Sequence, residues 1–120
     1  MKSELKENMY IRTNYGIIDK ILKLNESYVK GVSQKDDFYA YDIDNIVKAS
    51  YNIIDILEEG DYVNGQKIYY DEELDFLYVQ SFDGDGEFYQ ESITKQSFID
   101  NIKSVITHEQ MEQMVYKVGE

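Results

Sequence analysis

The stretch from Gly60 to Ile93 reads GDYVNGQKIYYDEELDFLYVQSFDGDGEFYQESI and contains the two clearest turn signals of the chain. Asn64-Gly65 is the strongest short signal for a β-hairpin, because a type I′ turn needs positive φ at both of its central residues. Asp83-Gly84-Asp85-Gly86 has turn-forming residues at every position and separates two segments that are rich in aromatic and β-branched residues. The stretch therefore predicts consecutive antiparallel hairpins.

Short strands are also predicted on the N-terminal side of that stretch. The segments MYIR, GIIDKILKL and SYVKGV, between Met9 and Val32, are separated by turn formers and indicate a small antiparallel meander. DIDNIVKAS, starting at Asp42, fits either a capped helical turn or a strand, whereas NIIDIL, starting at Asn52, is predicted to be a strand. Residues 1–8 are polar and are predicted to be loose or to form a short arm.

The C-terminal part of the sequence mixes helical and strand signals. ITKQSFIDNIKSVI, from Ile93 to Ile106, has apolar residues at helical spacing but can also end as a strand. Thr107 followed by Gln110 has the form of a capping box, so THEQMEQM is predicted to be a short helix and VYKV after it a strand. Together the patterns predict a mainly β, α+β fold. Its architecture would be a small curved antiparallel sheet or barrel, with one or two short helices toward the C-terminus.

Length and composition limit the class of protein. With 120 residues and no repeat or obvious linker, residues 1–120 are predicted to form a single domain. The sequence has neither a long apolar run nor a signal-type segment, which predicts a cytoplasmic protein without membrane attachment. It has no cysteine and one histidine, His108, so neither a thiolate site nor a multi-histidine metal site is expected.

Acidic residues are concentrated in the middle of the chain. The formal net charge is -12, and between Asp36 and Glu91 there are 16 acidic residues against only Lys48 and Lys67. The many aromatic residues of the same region argue against disorder. Such a surface disfavours phosphate ligands, nucleic acid and anionic membranes, and its natural partner is a basic protein surface. An acidic surface that serves only solubility is the alternative interpretation.

Catalytic and metal-binding motifs are poorly matched. The DGDG turn is similar to the start of a calcium-binding loop, but Phe88 and Thr94 stand where such a loop requires Gly and Glu. A glycosidase-type pair needs one carboxyl group whose pKa is raised by burial, and the acids here cluster in predicted turns. Neither a nucleophile elbow nor a phosphate-binding glycine-rich loop occurs in the sequence. We therefore expect no enzyme activity, no cofactor and no metal site.

The predicted binding surface combines the acids and tyrosines of the two hairpins. Carboxylates at alternate strand positions are about 6 to 7 Å apart, which is close to the spacing of phosphates along a nucleic-acid strand. Tyrosine is typical of half-buried strand positions, but it also stacks on arginine, with which carboxylates pair. The predicted partner-binding residues are Asp71, Glu72, Glu73 and Asp75, with Asp83, Asp85 and Glu87 adjacent to them, and the contact aromatics Tyr69, Tyr70, Tyr78 and Tyr89.

Three blocks of the sequence resemble a family of small acidic proteins encoded by phages and prophages of Firmicutes. The blocks are MYIRTNYGIIDKI (Met9–Ile21), IVKASYNIIDILEEGDYVNGQKI (Ile46–Ile68) and IKSVITHEQMEQMVYKV (Ile102–Val118). The resemblance implies an SH3-like or related β-barrel fold and a place among phage accessory genes, a setting that also supplies inhibitors of bacterial defence. The blocks contain no catalytic signature, so the resemblance supports fold and origin better than any activity.

These features predict a phage-type anti-defence inhibitor, in the first place an anti-CRISPR protein. It would bind a Cas effector stoichiometrically in the bacterial cytoplasm and block the nucleic-acid-binding groove with an acidic, DNA-mimicking surface. The partner would be a basic nucleic-acid-binding protein, and the inhibitor itself would not bind nucleic acid. The alternative is a non-enzymatic SH3-like adaptor of a phage or host protein. A protein that sequesters a small signalling molecule ranks last, because the sequence has few basic groups that could bind a nucleotide. Exposed strand edges also make a homodimer possible, and the sequence does not decide this.

Overall fold

The computed structural model describes residues 4–33 and 40–114. The chain divides into two compact units, Met1–Ile56 and Leu57–Glu120, and each unit has a five-stranded antiparallel sheet. The predicted mainly β fold with short helices near the C-terminus is confirmed. Within the described ranges neither sheet closes on itself, so the structure has open sheets and not the SH3-like barrel.

The first unit is a sheet with the strand order β4-β3-β2-β1-β5. Leu5 is 3% exposed and belongs to the core of this unit. The core consists of Leu5, Ile11, Ile21, Val29, Ile43 and Ile46. The strands are β1 (Tyr10–Thr13), β2 (Ile18–Leu24), β3 (Tyr28–Gly31), β4 (Tyr41–Asp42) and β5 (Ile46–Ser50).

The segment that begins at Asp42 contains both of the structures left open by its sequence. The Asp42 side chain accepts a hydrogen bond from the amide of Asp44 and caps a 3-10 turn over Ile43–Asn45. The chain then continues directly as β5. Capping and strand signals were therefore both correct, because they apply to successive parts of the segment.

The prediction of a strand at NIIDIL is wrong, since Ile53–Ile56 forms a 3-10 helix. The Ser50 hydroxyl accepts a hydrogen bond from the Asn52 amide, and the Asn52 side chain accepts one from the Ile54 amide. These contacts satisfy backbone groups locally and so compete with sheet pairing. Apolar composition alone does not reveal this competition.

The first unit also buries a charged side chain. Arg12, on β1, is fully buried, and its Nη1 donates to the carbonyl oxygen of Ile56 at 3.0 Å. A guanidinium group tolerates burial when its donors are paired, because its planar fork can serve several acceptors at once. Arg12 therefore ties β1 to the end of the 3-10 helix.

The second unit is a sheet with the order β10-β6-β7-β8-β9, and both predicted hairpins are confirmed in it. Asn64 and Gly65 have φ values of 52° and 80°, as a type I′ turn requires. The second hairpin turns over residues 83–87 and joins Phe82 to its partner Phe88. The strands are β6 (Tyr62–Val63), β7 (Gln66–Asp71), β8 (Phe76–Phe82), β9 (Phe88–Ser92) and β10 (Val105–Ile106).

Two short helices complete the second unit. The segment Ile93–Ile106, whose sequence fitted either helix or strand, contains both: helix α1 (Gln96–Asp100) comes first and strand β10 ends it. Helix α2 (His108–Met114) begins with the predicted capping box: the Thr107 amide donates to Gln110 Oε1 at 3.0 Å, and the Gln110 amide donates to Thr107 Oγ1 at 3.2 Å. The predicted strand VYKV lies outside the described residues.

Asn64 links the first hairpin of this unit to the segment between α1 and β10. Its Nδ2 donates to the carbonyl oxygen of Asn101 at 2.8 Å. Its Oδ1 accepts from the amides of Lys103 and Ser104 at 2.8 and 3.1 Å. The turn residue thus satisfies three backbone groups about 40 positions further along the chain.

Replacing Asn64 by glycine is expected to lower the free energy of unfolding by about 1 to 2 kcal/mol. Glycine keeps the positive φ that the turn needs but removes all three side-chain hydrogen bonds. Asn64→Asp is the matched control, because it keeps the acceptor for Lys103 and Ser104 and loses only the donor. Urea unfolding monitored by circular dichroism measures both variants, and a glycine variant as stable as the original protein would contradict the assigned role.

Candidate functional site

The predicted site residues lie on the three-stranded part of the second sheet formed by β7, β8 and β9. Antiparallel pairing places Ile68 opposite Val79 and Tyr69 opposite Tyr78. Ile68 and Val79 are fully buried, and we call their side of the sheet the inner face. Tyr69 and Tyr78 alternate with them along the strands and therefore lie on the outer face.

The four predicted contact tyrosines do not share one surface. Tyr69 and Tyr78 stack on the outer face with their ring centroids 5.7 Å apart. Tyr70 pairs with Leu77, and Tyr89 pairs with Ser81. By strand alternation both tyrosines are on the same side of the sheet as Ile68 and Val79, although they are 39% and 43% exposed. The separation follows from the two-residue period of a strand, which sends neighbouring residues such as Tyr69 and Tyr70 to opposite sides.

Phenylalanines that sequence reasoning did not include extend the aromatic surface of the outer face. The ring of Phe76 lies 5.6 Å from that of Tyr78, and Phe82 and Phe88 form an edge contact at 6.3 Å. Phe82 and Phe88 are 69% and 52% exposed. The alternation along β8 is the sequence signal that identifies them. We call this set the aromatic row; it consists of Tyr69, Phe76, Tyr78, Phe82 and Phe88.

The acidic residues lie in two turns at opposite ends of β8. One turn begins after Asp71, the last residue of β7, and carries Glu72, Glu73 and Asp75 before β8. The other joins β8 to β9 and carries Asp83, Asp85 and Glu87. The seven residues of β8 separate them, which corresponds to about 25 Å along the strand. The expectation that the two groups are adjacent is therefore wrong: the strand between them holds them apart.

Two of these carboxylates shape the turns. Asp71 Oδ1 accepts hydrogen bonds from the amides of Glu73 and Leu74, both at 3.0 Å. Asp83 Oδ1 likewise accepts from the amides of Asp85 and Glu87, both at 2.9 Å. Such Asx contacts stabilise turns and explain why aspartate begins each acidic stretch.

Four other carboxylates face solvent. Within the part of the chain that the structure describes, no hydrogen bond or ion pair involves their side chains, and all four residues are exposed. They are consequently available to a partner without loss of a contact to any described residue. These four are Glu72, Glu73, Asp85 and Glu87.

Tyr70 is linked to the first acidic turn. Its hydroxyl donates to Asp75 Oδ1, and Asp75 has a positive φ of 53°. The hydrogen bond to Asp75 raises the pKa of the Tyr70 phenol above its usual value, and the charges of Asp75, Glu72 and Asp71 act in the same direction. Ionising this phenol would place a negative charge beside carboxylates, which is unfavourable.

The Tyr70 phenol is expected to titrate above the usual pKa of a tyrosine. Its folded-state pKa exceeds the unfolded value, so the associated stabilisation is complete below about pH 10 and is lost as the pH rises through the folded-state pKa. An NMR titration with 13Cζ-labelled tyrosine, assigned with Tyr70→Phe, measures this. Asp75→Asn should move the pKa of Tyr70 back toward the usual value. A Tyr70 signal that titrates at or below the usual tyrosine pKa of about 10 would contradict the expectation.

Comparisons of the chain with protein families, curated proteins and solved structures found no match. The resemblance to phage accessory proteins therefore stays a prediction that rests on its three sequence blocks. Among the described residues, no helix combines the length and apolar character needed to cross a membrane. The function must be argued from the outer face and the two acidic turns.

Proposed function

We propose that this protein is a non-catalytic inhibitor that covers a basic, nucleic-acid-binding surface of another protein. The contact surface would be the outer face of β7, β8 and β9 with the acidic turns at both ends of β8. The observation that carries the proposal is this arrangement: the aromatic row runs along the strands, half-buried at Tyr69, Phe76 and Tyr78 and exposed at Phe82 and Phe88. Four solvent-facing carboxylates lie at its two ends.

The arrangement suits a surface rich in arginine. Guanidinium groups stack on aromatic rings and form charge-assisted hydrogen bonds with carboxylates, so one surface offers both kinds of contact. The two turns are about 25 Å apart, which corresponds to roughly seven base pairs of duplex rise. Carboxylates at this separation would contact basic residues at two points of the same groove, where those residues otherwise bind phosphates. The protein's own charge of -12 makes direct binding of nucleic acid unfavourable.

The most specific form of the proposal is an anti-CRISPR protein that acts in the bacterial cytoplasm. A Cas effector presents long basic channels for guide and target strands and arginines that read the PAM. Small size, strong acidity and the three phage-like sequence blocks support this choice of target class. Stoichiometric covering of such a channel requires neither a catalytic residue nor a cofactor.

A non-enzymatic adaptor is the second candidate, and the exposure of Phe82 and Phe88 favours it. Binding through Phe82 and Phe88 does not depend on mimicry of phosphates, and exposed aromatic pairs are typical of protein interfaces in general. An adaptor would use the same outer face, with the carboxylates at its rim. The two candidates differ in whether nucleic acid competes for the partner.

The experiment is a DNA-binding and cleavage assay with purified Cas effectors of several types, each loaded with guide RNA. A DNA-mimicking inhibitor should block target-DNA binding at a one-to-one ratio, and it should be displaced by excess target DNA. Its association should also slow as salt is raised. Inhibition of cleavage while DNA stays bound would exclude groove mimicry. Binding of an effector without any competition from DNA would support the adaptor.

A further inference from the structure

We propose that Glu58, His108 and Glu109 form a binding site for a divalent transition metal, Zn²⁺ in the first place. Nε2 of His108 lies 2.8 Å from Oε1 of Glu58 and 3.2 Å from Oε1 of Glu109. One ligand atom from each residue lies within 4.8 Å of the other two. The site belongs to the second unit and is separate from the aromatic row and the acidic turns.

The two carboxylate oxygens beside Nε2 of His108 suit a bound cation. A neutral imidazole has at most one hydrogen on Nε2, whereas two carboxylate oxygens face that nitrogen. Zinc bonds of 2.0 to 2.2 Å in tetrahedral geometry separate neighbouring ligand atoms by about 3.3 Å. The two observed distances need only a small expansion to reach this value. A metal would then be bound by the lone pair of Nε2 and by one oxygen of each carboxylate.

The backbone segments that carry the ligands are held in place by Asp61. Asp61 is fully buried, and its Oδ1 accepts a hydrogen bond from the His108 amide at 2.9 Å. Its Oδ2 accepts one from the Glu58 amide at 2.7 Å. One carboxylate therefore fixes residue 58 beside residue 108, although 50 positions separate them in the sequence. Such support from neighbouring residues is what a preorganised metal site requires.

The packing around the ligands is close on one side and open on the other. Gly60 has a φ of 91°, and a Cβ there would lie 3.2 Å from the Cβ of His108, so the loop packs tightly against the start of α2. The side chains of His108, Glu58 and Glu109 are 35%, 30% and 23% exposed. Solvent can therefore reach the site and supply a water molecule as the fourth ligand.

Isothermal titration of the metal-stripped full chain with zinc chloride at pH 7 tests the proposal. We expect one saturable site per chain whose affinity exceeds the weak binding of zinc to the acidic surface. His108→Gln, Glu58→Gln and Glu109→Gln should each weaken binding at that site tenfold or more. Glu112→Gln is the matched control, because it removes an exposed carboxylate from the same helix and should leave the affinity unchanged.

The only histidine of the sequence provides a second readout. In a long-range 1H–15N spectrum, zinc should shift the Nε2 signal of His108 and fix the proton on Nδ1. The proposal fails if Nε2 does not respond at saturating zinc, or if His108→Gln binds zinc with the original affinity and stoichiometry. Circular dichroism of the variants separates lost ligands from lost folding. If His108→Gln unfolds, Glu109→Gln serves instead, because it keeps the backbone amides of Glu58 and His108 that donate to Asp61.

Discussion

Replacing Asp61 by alanine is expected to lower the free energy of unfolding by about 3 to 5 kcal/mol. The carboxylate is fully buried and accepts hydrogen bonds from the backbone amides of Glu58 and His108. Alanine would leave both donors without this acceptor, and a hydrogen bond to a charged group contributes about 1.5 to 3 kcal/mol. Urea unfolding monitored by circular dichroism gives the difference in the free energy of unfolding between the variant and the original protein. An unchanged m-value shows that both unfold in the same two-state transition.

Two further variants separate the role of Asp61 from a general effect of charge. Asp61→Asn keeps one oxygen acceptor of the same shape and should lose roughly half as much stability, since its NH2 group cannot accept the second amide. Asp85→Ala removes an exposed acid and should change stability by less than about 0.5 kcal/mol. An Asp61→Ala variant as stable as Asp85→Ala would show that the buried carboxylate does not hold the loop to α2.

Local signals in the sequence were sufficient to predict much of the fold. Asn64-Gly65 identified a hairpin because few residue pairs adopt positive φ at two successive positions, and the structure shows both values. Thr107 and Gln110 identified the start of α2 because the capping box is formed by residues three positions apart. In each case the interaction that decides the structure lies within a few residues of the chain.

The features that were not predicted depend on contacts between distant residues or on the geometry of strand ends. Asp61 and His108 gave no local signal of their contact, because only folding brings the loop beside α2. The distance between the two acidic turns could be predicted only by knowing where β8 begins and ends, because this extended strand keeps them apart. Burial of Arg12 could not be predicted from its neighbours in sequence either, because an acceptor of its guanidinium group belongs to the distant residue Ile56.

Charge reversal at the two acidic turns is expected to weaken target binding by 100-fold or more. The substitutions to lysine are restricted to carboxylates that accept no hydrogen bond within the described residues, so that Asp71 and Asp83 still shape the turns. Each one replaces an attraction to the basic groove by a repulsion. The variant carries Glu72→Lys, Glu73→Lys, Asp85→Lys and Glu87→Lys, which changes the net charge from -12 to about -4.

A second variant with the same net charge decides whether the position of the carboxylates matters. It carries four reversals at exposed acids outside the two turns, Glu7→Lys, Glu26→Lys, Asp44→Lys and Glu112→Lys. Binding of both variants to the Cas effector that the inhibition assay identifies is measured by surface plasmon resonance at several salt concentrations. A specific acidic surface predicts a large loss for the turn variant and a small, salt-sensitive decrease in association rate for the control. If both variants lose the same affinity, the acids contribute only through the net charge and not through their positions. If the turn variant still binds, mimicry is refuted and the aromatic row remains as the contact surface.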